Sequence, residues 1–407
     1  MKILRIIARL NVGGPARHVV WLTDELQDQE FQSVLIAGKV PDGEEDMSYL
    51  ADDLGVEPVY IEEMSRELSP KDAISLLKIY RVMKRERPDI VHTHTAKAGT
   101  VGRIAAFLYR WLTWKTLIGR PRKVWIVHTF HGHVFHSYYG NLKTKIFLAI
   151  EKSLASIATD LIITISPQQR KEIHEDFGVG KTGQFEIIPL GIDLKSLSNP
   201  ESRRAVFRNE VNAGEEDLLV GFVGRLTEIK NISLFLKVAE LYSRHSSDSP
   251  RLRFIIAGDG HLRKSLEDEA NKRGLDGLVT FLGNRTDTET VYAGLDVVAL
   301  TSFNEGTPLS LIEAMASNRP VISTAVGGVV DLLGGVTEEL DGFNVCERGV
   351  SVMLQSEENF FRGLIYLVEN EKLRGEIGVA GLEFVKNNYS KERLVTDIKE
   401  LYRKLLR

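Results

Sequence analysis

The feature that most constrains the fold is an alternation of short apolar segments and helical patterns, which fills the first half of the chain and then begins again. In the first half, strands are predicted at residues 3–8, 33–37, 58–61, 90–94, 124–129 and 161–166. Helical patterns lie between several of them, notably at 70–85 and 144–158. Strands that alternate with helices form a parallel sheet, because each helix returns the chain to the same edge. The first half is therefore predicted to be an α/β domain.

The segment IIPLGID, residues 187–193, is interpreted as a linker because proline and glycine fall between two regions that each complete the pattern. After it, strands are predicted at 219–223, 253–257, 279–282, 297–300 and 321–324. A chain of 407 residues exceeds what one core usually holds, which also favours two domains. We predict a first domain at 1–189, a second at 190–385, and a C-terminal helix at 386–407 that packs back on the first domain.

The composition narrows the class of protein. Apolar residues make up 43% and charged residues 27%, as in ordinary globular proteins. A net charge of -4 argues against general nucleic-acid binding. Cys346 is the single cysteine, which excludes an intramolecular disulfide and a thiolate metal cluster and favours a reducing cytoplasm. The apolar runs fall short of the ~20 residues that cross a bilayer, and the N-terminal run is too short for a signal peptide. We expect a cytoplasmic protein.

A glycine-rich turn, NVGG at residues 11–14, follows the first predicted strand, and Pro15 then opens a helix. This order is the opening unit of a doubly wound α/β domain, in which ligands bind at the carboxyl ends of the strands. The turn lacks the G-x-G-x-x-G dinucleotide pattern, which argues against a dehydrogenase.

The stretch FNEGTPLSLIE, residues 303–313, predicts an anion site at a helix start. Thr307 is the predicted N-cap and Pro308 the first helical residue, where a missing N–H costs nothing. The backbone N–H groups of Leu309 and Ser310 then face out of the positive end of the helix, which suits a phosphate.

Two carboxylates flank this anion site. Glu305 lies just before it, next to Gly306, and Glu313 lies about a turn and a half into the helix. Because carboxylates accept hydrogen bonds from hydroxyls, the ligand is expected to carry hydroxyls as well as phosphate.

A second loop, within GFVGRLTEIKN, leaves a predicted strand and carries Arg225 and Lys230. A guanidinium and an ammonium on one loop can grip a diphosphate and offset the charge that develops when it leaves. The alternative is a solvated loop with two incidental charges. Its place at a strand's carboxyl end, like that of residues 303–313, favours the ligand interpretation. The chain has no D-x-D motif at a strand end, so we expect no metal and assign help with the leaving group to these two cations.

Two further loops carry weaker signals. The Gly-Asp-Gly turn at 258–260 is of a common type, and a structural role is favoured. The loop formed by Gly283, Asn284 and Arg285 is predicted, from its position only, to present backbone groups to a nucleobase.

Six histidines surround the ends of two predicted strands of the first half. They are His92, His94, His128, His131, His133 and His136. Imidazole is a common zinc ligand, but no H-E-x-x-H helix or nearby cysteine supports a metal. We expect most of these residues to be satisfied core histidines, and His131, before Gly132, to be exposed toward the substrate.

The segment YRWLTWKTLIGRPRK begins at Tyr109 and ends at Lys123, with five basic residues, no acidic ones and two tryptophans. Tryptophan at headgroup depth and basic residues facing anionic lipid are typical of a peripheral membrane contact. A surface loop between a helix and a strand explains the composition nearly as well.

The chain resembles the retaining glycosyltransferases of family 4, which have the GT-B fold. The resemblance runs along nearly the whole chain and rests on motifs that are specific in their order and spacing. They are NVGGPARHV, HTFHGH, IIPLGID, GFVGRLTEIKN, IIAGDGHLR, FLGNR and FNEGTPLSLIEAMASNRPVISTAVGG. The resemblance implies two Rossmann-like doubly wound parallel-sheet domains that face each other across a cleft.

The resemblance also implies roles for individual residues. Arg225 and Lys230 would bind the donor diphosphate, and Glu313 would bond the nucleotide ribose. Glu305, with the backbone of residues 306–310, would hold the donor sugar and phosphate. Gly13 and Gly14 would approach the donor from the other domain, and His131 would position the reacting sugar. One departure is visible: the family often has a glutamate where this chain has Asp331.

These observations predict a metal-independent, retaining transfer of a hexosyl or N-acetylhexosaminyl group from a nucleotide sugar, most plausibly a UDP-sugar. The expected acceptor is a glycan or lipid-linked glycan of the cell envelope, reached at the cytoplasmic face of the membrane. A UDP-sugar 2-epimerase shares the two-domain plan and is one alternative. A non-catalytic carbohydrate-binding protein is the other, and the presence of Arg225, Lys230, Glu305 and Glu313 together argues against it.

Overall fold

The computed structural model describes residues 1–11, 13–40, 46–64, 70–132, 141–198, 200–245, 251–353 and 356–407. His133 and His136 lie outside these ranges, as does residue 12 of the glycine-rich turn. The chain divides into two compact units, one formed by Met1–Gly191 with Glu392–Arg407 and the other by Ile192–Lys391.

The strands described in the first unit form a parallel sheet. They are β1 (Lys2–Ile7), β2 (Gln32–Ala37), β3 (Val59–Tyr60), β4 (Ile90–His94), β5 (Trp125–Thr129), β6 (Leu161–Thr164) and β7 (Phe185–Ile187). Their order across the sheet is β3-β2-β1-β4-β5-β6-β7. Strands β2 and β3 lie on one side of β1, and strands β4 to β7 lie on the other side. Such a reversal creates a crevice at the carboxyl ends of β1 and β4, where open α/β sheets bind ligands.

Helices cover this sheet, and their buried faces follow from the spacing of apolar residues. They are α1 (Gly14–Glu25), α2 (Ser48–Asp53), α3 (Asp72–Glu86), α4 (Ala96–Trp111), α5 (Asn141–Ile157), α6 (Pro167–Arg170) and, from the end of the chain, α15 (Lys391–Leu406). In α15, Leu394, Ile398 and Leu401 recur every three or four residues and are buried against β1 and β4. Burying each such side chain contributes about 1.5–3 kcal/mol.

A buried polar network also joins α15 to this sheet. The Tyr402 hydroxyl lies 2.6 Å from His92 Nδ1 on β4, and His92 Nε2 lies 2.7 Å from the Thr129 hydroxyl on β5. Arg5 of β1, fully buried, donates to Ser33 and to the Tyr402 hydroxyl. Because these hydrogen bonds are made away from water, the network fixes the position of the helix as well as adding stability.

The sheet of the second unit is also mainly parallel, with two antiparallel strands at one edge. Its strands are β8 (Leu218–Val223), β9 (Leu252–Ala257), β10 (Val279–Gly283), β11 (Val297–Leu300), β12 (Val321–Thr324), β13 (Val336–Leu340), β14 (Phe343–Cys346) and β15 (Gly349–Val352). The order is β10-β9-β8-β11-β12-β15-β14-β13, parallel up to β15 and antiparallel beyond it. The strand order again reverses between β8 and β11.

Helices on both faces of this sheet bury an apolar core. They are α7 (Pro200–Glu210), α8 (Ile232–His245), α9 (Arg263–Lys272), α10 (Thr288–Gly294), α11 (Leu309–Ala316), α12 (Val329–Leu333), α13 (Glu357–Glu369) and α14 (Glu371–Asn388). Strands β8 and β11 are nearly continuous apolar runs, as expected when both faces of a parallel sheet are covered.

The expectation of one helix over 386–407 is wrong, because the segment contains the end of α14 and all of α15. The break falls at Tyr389, which is buried and has a non-helical backbone (φ -131°). The backbone of Ile192 accounts for it: its N–H donates to the Tyr389 carbonyl at 2.8 Å, and its carbonyl accepts from the Lys391 N–H at 3.0 Å. These bonds take the place of helical ones at the point where the chain changes unit.

Candidate active site

Two loops of the second unit meet at the carboxyl ends of β8 and β11. Loop A (residues 224–231) follows β8, and loop B (residues 301–308) follows β11 and leads into α11. The two strands are neighbours in the sheet. The fold therefore brings together the stretches that carry Arg225, Lys230 and Glu305, at the switch point of the sheet.

Lys230 of loop A and Glu305 of loop B form an ion pair. Lys230 Nζ lies 2.5 Å from Glu305 Oε1, and the side chains are 17% and 10% exposed. The Ser302 hydroxyl donates to the same oxygen at 2.5 Å. Because both charges are largely shielded from water, removing one leaves the other poorly compensated. The sequence analysis identified both residues as site candidates but did not predict that they form an ion pair. Opposite charges on two loops that follow strands indicate such a pair only once the strand order is known.

Backbone contacts hold the two loops in register. The Phe303 N–H donates to the Ile229 carbonyl at 2.8 Å, and the Thr301 hydroxyl donates to the Lys230 carbonyl at 3.0 Å. Four groups that would otherwise need water as a partner are thereby satisfied within the protein. The ammonium and the carboxylate are thus presented from a fixed backbone.

The Gly-Asp-Gly turn at 258–260 packs directly under loop A. A Cβ atom on Gly258 would lie 1.9 Å from the Gly224 carbonyl oxygen, and the backbone of Gly258 has φ 147°, which side-chain-bearing residues rarely adopt. The Leu226 N–H donates to the Asp259 carbonyl at 2.9 Å. This turn supports the loop that carries Arg225 and Lys230.

The start of α11 differs by one residue from the expectation. The helix begins at Leu309, and Pro308 occupies the cap position with an extended ψ of 114°, so Thr307 is not the N-cap. Proline fits there because its fixed φ matches and it has no N–H to satisfy. The backbone N–H groups of Leu309 and Ser310 still belong to the first turn, where the helix dipole favours an anion.

Glu313 lies on α11 and has a partner that the sequence did not reveal. The Tyr292 hydroxyl of α10 donates to Glu313 Oε2 at 3.1 Å. Tyr292 is fully buried, so its ring is fixed by packing and directs the hydroxyl at the carboxylate. Tyr292 therefore holds Glu313 in one orientation.

Loop B is supported from below by the glycines that follow β12. The Gly328 N–H donates to the Glu305 carbonyl at 3.1 Å, and a Cβ atom on Gly328 would lie 1.9 Å from the Gly306 carbonyl oxygen. A side chain at position 328 would therefore displace the backbone of loop B at Gly306. Asp331, the departure from the family pattern, lies in the first turn of α12.

The other residues of this unit that were predicted to bind the nucleotide-sugar donor lie elsewhere along the sheet or at its surface. Arg225 is exposed on loop A. Asn284 and Arg285 follow β10, the edge strand of the sheet. The Arg285 guanidinium pairs with the carboxylates of Glu210 and Asp287. Its side chain is therefore engaged in ion pairs.

In the first unit, Gly13 and Gly14 lie at the start of α1, and His131 follows β5. His94 Nδ1 lies 2.9 Å from His131 Nε2, and the rings of His18 and His131 are 4.8 Å apart. His18, His94 and His131 are called the histidine cluster below. It lies at the carboxyl ends of β1, β4 and β5, and His18 is a member that the sequence did not single out.

The histidines near these strand ends differ in how many of their ring nitrogens have hydrogen-bond partners. Both ring nitrogens of His92 have hydroxyl partners, and His128 Nδ1 lies 2.8 Å from the Thr93 hydroxyl. Within the described residues, both nitrogens of His18, Nε2 of His94 and of His128, and Nδ1 of His131 are buried without a hydrogen-bond partner. The expectation that most are satisfied core histidines thus holds fully for His92 only, among those described.

Burial keeps these histidines neutral and makes stability depend on pH. It lowers the pKa values of His18, His92, His94 and His128 well below 6.5, and that of His131 to about 4. Below pH 6.5 the unfolded chain takes up protons that the folded chain does not, so stability is complete above pH 6.5 and falls as the pH decreases.

We predict that the free energy of unfolding of the first unit falls by about 1.4 kcal/mol per pH unit for each such histidine between pH 6.5 and 5. The four tryptophans, Trp21, Trp111, Trp114 and Trp125, all belong to this unit, so urea titrations followed by tryptophan fluorescence report on it. His131→Gln is expected to reduce the slope by one proton. A flat profile from pH 7.5 to 5 would contradict the prediction.

The basic aromatic segment (residues 109–123) forms an exposed apolar surface. Leu117 is 89% exposed and Trp114 is 71% exposed, within a short 3-10 helix. Three of the five basic residues have contacts within the protein: Arg110 pairs with Asp160, Arg122 lies over the Tyr109 ring, and Lys115 Nζ lies 5.8 Å from the centre of the Trp114 ring. Lys115, Arg120 and Lys123 are exposed and can reach an outside partner. Among the described residues, no helix is both long and apolar enough to cross a bilayer.

Solved structures share this fold over the full chain. The crystal structure of Anabaena HepE in complex with UDP superposes with a TM-score of 0.78, at 19% identity, and covers 99% of this chain and 100% of that one. A sucrose-phosphate synthase from Thermosynechococcus elongatus superposes with a TM-score of 0.75, at 21% identity, over 100% and 99% of the two chains. At these identities the similarity establishes the fold, which is GT-B.

Sequence comparisons lead to the family. Residues 12–196 match the model for Glycosyltransferase Family 4, and residues 203–383 match the model for glycosyl transferases group 1. The UDP-Gal:alpha-D-GlcNAc-diphosphoundecaprenol alpha-1,3-galactosyltransferase of Escherichia coli is 28% identical over 87% of this chain and 85% of its own length. The capsular polysaccharide biosynthesis glycosyltransferase CapM of Staphylococcus aureus is 24% identical over 86% of each chain. Together the two models span nearly the whole chain, which therefore belongs to the family 4 glycosyltransferases of GT-B fold.

Proposed function

We propose that this glycosyltransferase moves a hexosyl or N-acetylhexosaminyl group from a UDP-sugar to a lipid-linked glycan, with retention of anomeric configuration. The observation that carries the proposal is the arrangement at β8 and β11. An ammonium, two carboxylates and the positive end of α11 lie around one switch point. These groups match the diphosphate and hydroxyls of a nucleotide sugar.

In this mechanism the second unit holds the donor. Lys230 and Arg225 bind the diphosphate, the first-turn amides of α11 receive a phosphate oxygen, and Glu313 accepts hydrogen bonds from the ribose hydroxyls. Glu305 accepts from hydroxyls of the sugar, and its pairing with Lys230 links the two ends of the scissile bond. Because Lys230 and Glu305 hold each other and Tyr292 holds Glu313 before the donor binds, these three groups need little reorganisation to stabilise charge.

Transfer then proceeds on one face of the sugar. The bond between the anomeric carbon and the diphosphate oxygen breaks, and a bond from the acceptor oxygen forms on the same side. The acceptor proton passes to the departing phosphate oxygen, so UDP leaves protonated and no separate protein base is required. Lys230 and Arg225 offset the charge of the diphosphate, and we propose that no metal is needed. His131, Gly13 and Gly14 remain predicted donor contacts from the resemblance.

The choice of UDP is supported by proteins that this chain resembles. HepE has been crystallised with UDP and with UDP-glucose, and the E. coli relative uses UDP-Gal. The test is a transfer assay with UDP-, GDP- and ADP-hexoses and a polyprenyl-diphosphate-linked sugar, in excess EDTA. UDP release that needs both donor and acceptor is expected. Activity confined to GDP or ADP donors, or abolished by EDTA, would overturn that part of the proposal, and acceptor-free epimerisation would overturn transfer itself.

A lipid-linked acceptor is proposed because of the basic aromatic segment. Its exposed Trp114 and Leu117 can enter the headgroup region, while the nearby basic residues contribute about 1 kcal/mol each against an anionic surface. The E. coli relative is named for a diphosphoundecaprenol-linked acceptor, which agrees with this proposal.

We predict that the protein floats with phosphatidylglycerol-containing liposomes and that a Trp114→Ser, Leu117→Ser double variant stays largely in the soluble fraction. The apolar side chains supply the insertion energy and the charges only the attraction. Val206→Ser, which removes a side chain that is 60% exposed in the second unit, is the matched control. Equal flotation of the parent and the double variant, or no flotation of the parent, would count against membrane contact through this segment.

A further inference from the structure

The histidine cluster has the geometry of a metal site. One ring nitrogen from each of His18, His94 and His131 lies within 4.8 Å of the other two. In a tetrahedral zinc site with Zn–N bonds near 2.05 Å, ligand nitrogens are about 3.3 Å apart. Each pair of nitrogens is therefore at most about 1.5 Å further apart than in such a site.

The ring nitrogens in this cluster are short of partners. His18 is 5% exposed and His94 is fully buried. Within the described part of the chain, neither nitrogen of His18 has a hydrogen-bond partner, nor does Nε2 of His94 or Nδ1 of His131. A buried polar group without a partner costs about 1–3 kcal/mol, so a ligand that engaged these nitrogens would recover that free energy.

Lone pairs are available on these rings. A neutral imidazole carries one lone pair, on the ring nitrogen that does not hold the proton. His94 and His131 share one hydrogen bond of 2.9 Å. The donor ring can move that proton to its other nitrogen by tautomerisation, so that the two facing nitrogens both present lone pairs to an ion.

The ligand type and the neighbouring groups determine which metal ions can bind. Three neutral imidazoles suit Zn²⁺, Co²⁺ or Ni²⁺ and do not suit Mg²⁺, which requires oxygen ligands. His92, whose ring centre is 4.2 Å from that of His94, has both nitrogens engaged by Tyr402 and Thr129 and cannot ligate. The buried Arg5 guanidinium opposes positive charge on His18 and His94, so only an ion with strong affinity for imidazole can bind here.

We propose that His18, His94 and His131 bind one zinc-class transition-metal ion, with a fourth coordination position left open to water or a substrate hydroxyl. The cluster belongs to the first unit, whereas the loops that are proposed to hold the donor diphosphate belong to the second. If His131 positions the reacting sugar, as the proposed function has it, an ion on its ring inhibits transfer. That consequence rests on the proposed function, whereas the binding itself does not.

The direct test uses the full chain without a polyhistidine tag, freed of metal by a chelator and titrated with CoCl₂. Tetrahedral Co²⁺ has intense visible d–d absorption, so the spectrum reports both stoichiometry and geometry. His18→Gln and His94→Gln each remove one ligand and are expected to weaken binding at least about tenfold. His245→Gln, at an exposed position on α8, is the matched control.

A second readout needs no variant. Zn²⁺ that binds the folded first unit raises its melting temperature, as followed by the fluorescence of the four tryptophans, all of which lie in that unit. Mg²⁺ at the same concentration is expected to have no effect.

One Co²⁺ per chain with a tetrahedral spectrum, lost in His18→Gln and His94→Gln and kept in His245→Gln, supports the site. No binding at millimolar Co²⁺, or equal binding in all four proteins, overturns it. Because these titrations contain no donor or acceptor, a protein that binds metal but transfers no sugar would overturn the proposed function alone. A transferase that binds no metal would overturn the metal site alone.

Discussion

Replacing Lys230 with methionine is expected to lower kcat by about 10²–10³-fold, the usual cost of removing one group that stabilises developing negative charge. Methionine keeps most of the side-chain volume but has no ammonium to place against the departing diphosphate. Glu305→Gln is expected to cause a loss of similar size, because it removes the charge that orients Lys230 and a strong acceptor for the sugar. Steady-state assays with saturating donor separate this effect from weaker binding.

The ion pair makes a double variant informative. Lys230→Met leaves the Glu305 carboxylate, 10% exposed, without its counter-ion and is expected to cost about 1–3 kcal/mol of stability. Adding Glu305→Gln should restore much of that stability without restoring turnover. Lys237→Met is the matched control, since Lys237 is 41% exposed and lies 3.6 Å from Glu357 on the same unit. A folded Lys230→Met protein with near-parental kcat would refute the assigned role.

Replacing Glu313 with alanine is expected to weaken donor binding by about 10–100-fold, because hydrogen bonds to a charged acceptor contribute about 1.5–3 kcal/mol. Tyr292→Phe removes only the hydroxyl that orients this carboxylate, so it is expected to raise the donor KM several-fold with little change in kcat. Tyr366→Phe is the matched control, because Tyr366 makes an equivalent 3.0 Å hydrogen bond to Glu338 at an exposed site.

Deoxy donors locate the contact of Glu313. A donor whose ribose lacks the bonded hydroxyl should bind the parent protein about as weakly as the complete donor binds the Glu313→Ala protein. When the deoxy donor is tested on the Glu313→Ala protein, the further loss of affinity should be small, because both changes remove the same interaction. Fully additive losses with both 2′- and 3′-deoxy donors would place the function of Glu313 elsewhere.

Much of the fold follows from local sequence, because short segments rich in apolar or β-branched residues, such as residues 90–94 and 297–300, alternate with helical patterns. Those two strands occur with the predicted limits. The break after Asn388 could not be predicted, because the backbone of Ile192, almost 200 positions away, ends the helix there. The strand β13 was also missed, since its VTEEL sequence is mostly exposed and it lacks an apolar face.

The candidate site, like the fold, could be predicted only in part from the sequence. Loop residues such as Lys230 and Glu305 could be selected from charge and from their position after a strand. Their mutual ion pair depends on β8 and β11 being neighbours, and strand order is not visible in local sequence. Tyr292 and His18 were missed for a related reason. Each lies on a helix where aromatic or polar residues are usual, and only the packing directs it at a functional group.

We propose that the second unit binds the uridine diphosphate donor through Lys230 and Glu313 without a metal ion. Calorimetric titration of the protein with UDP in the presence of EDTA tests this binding. We expect one UDP per chain, with affinity reduced at least tenfold in Lys230→Met and in Glu313→Ala and unchanged in Lys237→Met. No binding of UDP by the folded protein, or equal affinity in all four proteins, would refute the proposal.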